Sequence, residues 1–231
     1  LTVPVLIAFL YNFYPREFSQ KAVKLAWAIA LLFTGIIISL GFYVSYIVSS
    51  YNQLENNLDE MVRAMSLTVE ERDPYTAGHQ RRTTELAVAL AREMGLSNQQ
   101  CKSLRMAGLI HDMGKIAIPA EILSKPGGLN NVEFQLIQRH PQVGYDILKQ
   151  FEFPGAVDRI VLQHHERLNG SGYPQGLAGD NILLEARILC IADVVETIDS
   201  HRPYRPGRGL DVALQEIRKN RGLLYDPHGV D

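Results

Sequence analysis

The chain has 231 residues, of which 46% are hydrophobic, and a formal net charge of -2 at pH 7. That length allows one large or two small domains, and the near-neutral balance offers no polybasic footprint, which argues against a nucleic-acid polymer as partner while leaving a small anionic substrate open. Cys101 and Cys190 form no C-x-x-C pair and fall in helical patterns, so both are expected as buried, reduced thiols suited to a cytoplasmic domain.

Apolar residues concentrate at the N-terminus. Thr2 to Tyr14 is apolar but too short for a complete membrane span, and the chain opens on Leu1 rather than Met, so the sequence reads as a fragment. From Leu25 to Val48 no side chain is charged. At about 1.5 Å rise per residue that helix reaches roughly 36 Å, more than a bilayer core of about 30 Å, and it is predicted to span a membrane in contact with lipid. A signal peptide is the competing reading, but the run is long for an h-region and no small-residue cleavage site precedes Ser49 and Ser50. Arg16, Lys21 and Lys24 precede the span and the next basic residue is Arg63. The positive-inside rule alone therefore places the C-terminal domain outside, whereas the thiols favour the cytoplasm.

Residues 1–49 are thus the expected membrane region, with a partial span over 2–14 and a span over 25–48, and residues 50–72 a helical linker. In the linker Leu54, Leu58, Met61, Met65 and Leu67 sit near helical spacing among Glu55, Asp59, Glu60 and Arg63. Such a stripe either pairs with its copy in a homodimer or packs on its own domain, and the pattern leaves both open.

Residues 73–231 read as helix after helix without an alternating strand pattern, which predicts an all-α domain, itself truncated at the C-terminus. Asp73 as N-cap with Pro74 at the first helical position opens a helix that carries His79, Thr83, Leu86 and Leu90 on one face and ends at Gly95. Ser97 with Gln100 forms a capping-box pattern for a second helix, where Leu104, Gly108 and His111 share a face. Asn130 with Glu133 repeats the device, and that third helix must end by His140 because Pro141 disfavours the helical region before it. A fourth helix is predicted from about Gly155 to Arg167 and a fifth from about Ile182 to Ser200. Between them Asn169 to Asp180 holds Gly170, Gly172, Pro174, Gly176 and Gly179, a loop whose backbone is able to approach a ligand closely.

Five of the seven histidines fall on inward faces or at the ends of successive helices: His79, His111, His140, His164 and His165. One histidine on an apolar face is ordinarily a satisfied core residue. Five, with Asp112 and Asp193, would cost several kcal/mol to bury without partners, whereas metal ions use those lone pairs directly. His111 and Asp112 are adjacent, so they point about 100° apart and are able to grip one cation while the second carboxylate oxygen reaches another. Asp112 is the natural bridge, His164 and His165 repeat the arrangement with two nitrogens, and Asp193 shares a helical face with Ala186 and Leu189. Nitrogen and carboxylate ligation suits iron or manganese, and zinc less securely. Two such ions about 3.5 to 4 Å apart activate water and clamp a phosphate, so the pattern points to phosphoester hydrolysis. Lys115, three positions after Asp112, is placed to reach a phosphate oxygen.

These residues resemble the signature of HD-GYP domains, a branch of the HD phosphohydrolase superfamily. The resemblance covers Asp73 to Asp231 through Asp73-Pro74-Tyr75-Thr76-Ala77-Gly78-His79, His111-Asp112-Met113-Gly114-Lys115, His140-Pro141, His164-His165-Glu166, Gly170-Ser171-Gly172-Tyr173-Pro174, Ile191-Ala192-Asp193 and Arg202-Pro203-Tyr204-Arg205. It implies a helical bundle with a metal centre in its core that cleaves c-di-GMP to linear pGpG and in some members onward to GMP. Carried over by position, one metal takes His79, His111, Asp112 and Asp193, and the other Asp112, His140, His164 and His165. Some members add a third metal through a glutamate four positions before the first histidine; here that position is Tyr75, so two metals are expected. Asn169 stands where the family commonly has Asp, losing a charge but no predicted ligand.

The resemblance also implies membrane-linked second-messenger signalling at the inner membrane of a bacterium, with the catalytic domain in the cytoplasm. Lys115 and Asp112 are the expected catalytic residues. Lys115, Arg202, Arg205 and Tyr173 are the candidate substrate contacts, the arginines with a loop-fixing salt bridge as the alternative. For Tyr173 and Pro174 spacing gives no chemical role, and the loop is open to guanine or to a protein partner. His201 and His228 fall outside the ligand set. Two rival functions stand: an HD phosphohydrolase for another nucleotide, against which the Gly-Tyr-Pro loop argues, and a receptor module without turnover, against which the complete ligand set argues.

Overall fold

The computed structural model describes Ala8 and residues 20–72, 78–125, 127–200 and 207–231. The expectations placed on Asp73, Pro74, Tyr75, His201, Arg202 and Arg205, and on the short apolar stretch before Tyr14 apart from Ala8, lie outside these residues. Among the described residues the fold is all-α, and the only extended pairings are the isolated bridges Asn169–Ala178 and Arg221–Tyr225. The chain divides into two compact units, 1–58 and 59–231.

Helix α1 (Gln20–Arg72) runs unbroken through the predicted span and the predicted linker. In the first unit its apolar side chains are exposed, Phe42 by 74% and Leu31 by 70%. By length and composition this helix is able to cross a membrane. The second unit starts at Asp59, ahead of the predicted boundary at Asp73, because the last turns of α1 bury a seam. Val62, Ser66 and Val69 recur at helical spacing and are buried, Asp59 Oδ2 lies 2.5 Å from Arg105 Nη1, and Ser66 Oγ donates to Gln80 Oε1. The stripe residues Leu54, Met61 and Leu67 remain exposed.

Helix α2 (His79–Glu93) starts later than the Asp73–Pro74 signal suggests. Gly78 precedes it with φ 71, a left-handed conformation that a continuing right-handed helix does not tolerate. Both capping boxes are present as predicted. In α3 (Asn98–Ile110) Ser97 and Gln100 satisfy each other's backbone N–H, and in α5 (Asn131–Ile137) Asn130 and Glu133 do the same. A 3₁₀ turn over Met113–Ala117 and the short α4 (Ala120–Leu123) lie between them. The third predicted helix does end before His140, but a new helix, α6 (His140–Leu148), begins there with Pro141 in its first turn, where the missing N–H costs nothing. Helix α7 (Val157–Gln163) is shorter than predicted, and α8 (Leu184–Asp199) is close to its predicted bounds; α9 (Leu210–Lys219) and α10 (Pro227–Val230) follow.

Helices α2, α3 and α8 pack on one another, α7 packs on α3, α6 and α8, and α9 and α10 cover α8. Leu104, Ile110, Ile160, Ile188 and Leu189 are buried among them, each worth about 1.5–3 kcal/mol of apolar burial. Cys101 and Cys190 are buried and free, as predicted. The 3₁₀ turn packs on α6 through Gly114, where an added Cβ would sit 1.9 Å from the His140 carbonyl oxygen and 2.7 Å from the Gly144 nitrogen. Both contacts are backbone, so only a shift of His140 would relieve them. Gly114→Ala is therefore expected to lower unfolding free energy by at least about 1–3 kcal/mol in urea titrations, whereas Gly128→Ala, where a Cβ meets nothing within 4 Å, leaves it within about 0.5 kcal/mol.

Candidate metal centre

Four helix ends and one helix face converge on a single buried cluster. His79 is the first residue of α2, His111 and Asp112 follow the last residue of α3, His140 opens α6, His164 and His165 follow the last residue of α7, and Asp193 lies on α8. His79, His111, Asp112, His140, His164 and Asp193 are buried, and His165 is partly so. All seven predicted donors thus come together. Their ligand atoms form three groups, each within 4.8 Å internally: His79, His111 and Asp193; His140, His164 and His165; and His111, Asp112 and His164. Asp112 turns one oxygen toward each side, with Oδ2 3.7 Å from His111 Nε2 and Oδ1 3.5 Å from His140 Nε2.

The ring orientations follow from where the helices stop. The last carbonyls of a helix have no partner within it, and three of them are used here. His111 Nδ1 lies 2.7 Å from the Gly108 oxygen, His140 Nδ1 2.8 Å from the Ile137 oxygen and His164 Nδ1 2.6 Å from the Val161 oxygen. Each bond assigns the proton to Nδ1 and leaves Nε2 as a free lone pair in the cluster; His140 and His164 then face each other Nε2 to Nε2 at 3.3 Å. His79 is set differently. Its Nδ1 contacts the Glu196 carboxylate while its Nε2 lies 3.2 Å from Asp193 Oδ1. Glu196 is held in turn by Arg82 Nε at 2.8 Å and by Ser200 Oγ at 2.5 Å. The sequence argument missed Glu196, although its place three residues after Asp193 on one helix was a usable signal.

Protonation separates the two sides of the cluster. Burial, followed by the neighbouring imidazoles His111 and His140, pushes His164 down to about 3. Burial pushes His140 to about 4 against the pull of Asp112, and burial with His164 beside it holds His165 well below the ordinary histidine range. These rings are neutral and ready to ligate. Burial also acts against charge on His79, but hydrogen bonds to Asp193 and Glu196 outweigh it and raise its pKa to about 9. Asp112 and Asp193 remain well below the usual carboxylate range although burial opposes this, Asp112 through Lys115 and His111, and Asp193 through His79. A set of neutral imidazole nitrogens and ionised carboxylates fits a divalent metal site.

The remaining predicted contacts divide. Lys115 Nζ sits 2.7 Å from Asp112 Oδ2, inside the cluster's edge rather than out in solvent. Tyr173 stacks on His165 with centroids 4.8 Å apart and a 36° interplanar angle, so spacing concealed a packing role; burial raises its hydroxyl pKa. Asn169 is exposed and its Oδ1 accepts from the Ser171 nitrogen at 3.1 Å and hydroxyl at 2.7 Å, which is turn formation that a carboxylate would perform equally well. His228 is exposed, in α10.

An all-helical bundle closed around histidine and aspartate pairs is the architecture of HD-type proteins. The chain belongs to the HD domain family: the family model described as "HD domain" matches residues 63–229, and the His-Asp and Gly-Tyr-Pro motifs place it in the HD-GYP branch. It is 41% identical over 187 residues to the cyclic di-GMP phosphodiesterase response regulator RpfG of Xanthomonas campestris pv. campestris, covering 80% of this chain and 50% of that protein. To the 3'3'-cGAMP-specific phosphodiesterase 3 of Vibrio cholerae it is 36% identical over 170 residues, covering 74% and 37%. The chain therefore spans half or less of the length of these curated relatives. The crystal structure of the cyclic GMP-AMP phosphodiesterase V-cGAP3 of V. cholerae shares the fold with a TM-score of 0.58 at 20% identity, over 74% of this chain and 46% of that one.

Because His79 must lose its proton before Nε2 can ligate, metal affinity on the His79 side is expected to rise about tenfold per pH unit from pH 7 until it levels near pH 9. On the side of His140, His164 and His165, whose rings are already neutral, affinity is expected to be flat above a pH of about 5. Chelator-competition titrations at pH 6, 7, 8 and 9 (about one-unit steps) resolve the two.

Proposed function

We propose that residues from about 73 to 231 form a metal-dependent phosphodiesterase domain that hydrolyses c-di-GMP to linear pGpG, in membrane-linked signalling. The observation that carries this reading is Asp112, a buried carboxylate with one oxygen toward each of two imidazole groups. The names of the relatives support the substrate class. In this reading His79, His111, Asp112 and Asp193 would hold one ion, and Asp112, His140, His164 and His165 a second, with iron or manganese as the metal. Bound divalent ions supply Lewis acidity that lowers the pKa of a water and neutralises phosphate charge. Hydrolysis then forms one P–O bond to the water oxygen, breaks the bond from phosphorus to the ribose 3′ oxygen and leaves the proton on that oxygen.

The chain's own residues position this reaction. Lys115, now paired with Asp112, swings from the carboxylate to a phosphate oxygen as negative charge develops there. Tyr173 borders the site through its stack on His165, and Arg202 and Arg205 serve the second phosphate. The unbroken α1 anchors the domain at the inner membrane of a bacterium with the domain in the cytoplasm. Exposed Leu54, Met61 and Leu67 supply an apolar stripe for pairing two copies, and Pro174 and Gln175, among the exposed residues of the loop, offer a surface to a protein partner.

A second substrate is favoured by a specific finding: 36–40% identity to 3'3'-cGAMP-specific phosphodiesterases of V. cholerae. Incubating the metal-loaded chain with c-di-GMP, with 3'3'-cGAMP and with a cyclic mononucleotide, then identifying products by mass, decides between them. The expected result is pGpG from c-di-GMP at the highest kcat/KM; faster cleavage of cGAMP would reassign the substrate, and no cleavage of any would support a receptor.

Lys115→Ala is expected to lower kcat for c-di-GMP by roughly a hundred- to a thousandfold, about 2.7–4 kcal/mol of transition-state stabilisation, while KM and metal content change little. Turnover and metal analysis on one preparation check it. Unchanged turnover, or a loss explained entirely by lost metal, would contradict the assigned role.

A further inference from the structure

Each imidazole of the cluster needs something to fix its ring, and four of the five have it in a hydrogen bond. His111, His140 and His164 use carbonyls of the preceding helical turn, and His79 uses Glu196. The described hydrogen bonds give the His165 ring no such partner; its Nδ1 lies 4.0 Å from Asp193 Oδ2. Three rings pack on it: His164 at 4.1 Å and His140 at 5.0 Å between centroids, both candidate ligands themselves, and from outside the cluster Tyr173 at 4.8 Å, carried by the loop between α7 and α8.

That loop is held by a single buried carboxylate. Glu166 is 2% exposed, its Oε1 accepts from the Gln175 nitrogen at 2.7 Å and its Oε2 from the Leu177 nitrogen at 3.0 Å. Among the described residues no cation pairs with it. Taking a carboxylate out of water costs several kcal/mol unless its lone pairs are satisfied, and here both oxygens bind the backbone just beyond Tyr173. A glutamine would keep one acceptor and turn an N–H₂ toward the other N–H, so the geometry specifically uses a carboxylate.

The other face of the loop is pressed against the same short segment. A Cβ at Gly172 would lie 2.4 Å from the Arg167 nitrogen, 2.4 Å from Glu166 Cα and 2.5 Å from the His165 oxygen, so the loop backbone rests directly on residues 165–167. The Tyr173 nitrogen donates to the His165 oxygen at 3.3 Å, and the loop closes on itself where the Gly179 nitrogen donates to the Leu168 oxygen at 2.9 Å.

We propose that Glu166 and Tyr173 are positioning residues for His165: Glu166 locks the loop, the loop presses Tyr173 onto the imidazole, and the stack does for this ring what helix carbonyls do for the others. The proposal rests on the reading in which His165 is a metal ligand. It assigns the Gly-Tyr-Pro loop a task on the metal side of the site rather than on the substrate side.

The test is made on the full chain in detergent loaded with manganese, comparing Tyr173→Leu, Tyr173→Phe and Glu166→Gln with the unmodified chain. Chelator competition reads the affinity of each ion, and electron paramagnetic resonance distinguishes a spin-coupled ion pair from isolated manganese. Tyr173→Leu, which leaves the Glu166 lock intact, is expected to weaken one of the two ions by roughly ten- to a hundredfold, the range typical when a ligand loses its orienting partner. The coupled signal should give way to an isolated one, and Tyr173→Phe should restore it. Glu166→Gln should match Tyr173→Leu in metal affinity, and excess manganese should recover kcat for both without a change in KM. Unaltered metal affinities and coupled signal in Tyr173→Leu, with KM raised, would overturn the proposal and give the loop to the substrate. A chain that holds two coupled ions yet leaves c-di-GMP intact would count against the phosphodiesterase reading alone, because the readout here is metal retention.

Discussion

The rest of the structure depends on the burial of Asp112. An ionised carboxylate removed from water is tolerated only where charge and hydrogen bonds replace its hydration, and the neighbours of Asp112 are arranged to do that. Lys115, 2.7 Å from one oxygen, supplies that charge, while His111 Nε2, 3.7 Å from the same oxygen, and His140 Nε2, 3.5 Å from the other, face the carboxylate as further candidate ligand atoms. For Asp112 to reach this point α3 has to stop at Ile110 and the chain has to turn at once into the 3₁₀ segment, whose Gly114 admits the backbone of His140. One side chain thus ties together the end of α3, the start of α6 and the edge on which Lys115 stands.

The same logic repeats around the cluster because helix termini leave polar backbone atoms unpaired. Elsewhere such atoms are capped by water or by serine and asparagine, as at Ser97 and Asn130. Here the trailing carbonyls of α3, α5 and α7 orient His111, His140 and His164, and they bring the partial negative charge of three helix C-termini toward one point. That field adds to Asp112 and Asp193 and suits a cation. Where no carbonyl is available the chain substitutes a carboxylate for His79 and, on our proposal, an aromatic stack for His165. Lys115 beside Asp112 and His79 beside Asp193 place positive charge next to the two carboxylates.

How much of this was legible in the sequence depended on the distance over which each cause acts. Capping boxes act over three residues, and both were read correctly at Ser97 and Asn130. The seven donors were legible because histidine-aspartate and histidine-histidine pairs are rare on buried helix ends, and the structure brings all seven together. The start of α2 was misplaced because Asp73 and Pro74 are a strong local signal, while the decisive feature is the positive φ of Gly78. The new helix at His140 was missed because proline reads equally as a stop and as a first-turn residue. Glu166 belongs to the His164-His165-Glu166 motif, yet its role depends on loop nitrogens nine and eleven residues away, and no local rule specifies which backbone groups a loop will offer. The continuity of α1 past Val48 was hidden by the change from apolar to mixed composition, which alters the surroundings of a helix without ending it.

The central claim is that Asp112 joins two sets of imidazoles into one dinuclear hydrolytic centre, and its most direct test is metal stoichiometry and c-di-GMP turnover measured together on the Asp112→Ala chain. The account predicts two ions per chain and pGpG formation for the unmodified protein, and for Asp112→Ala a stoichiometry below two with no detectable product while helical content is retained. Two tightly held ions and undiminished turnover in the variant would contradict it.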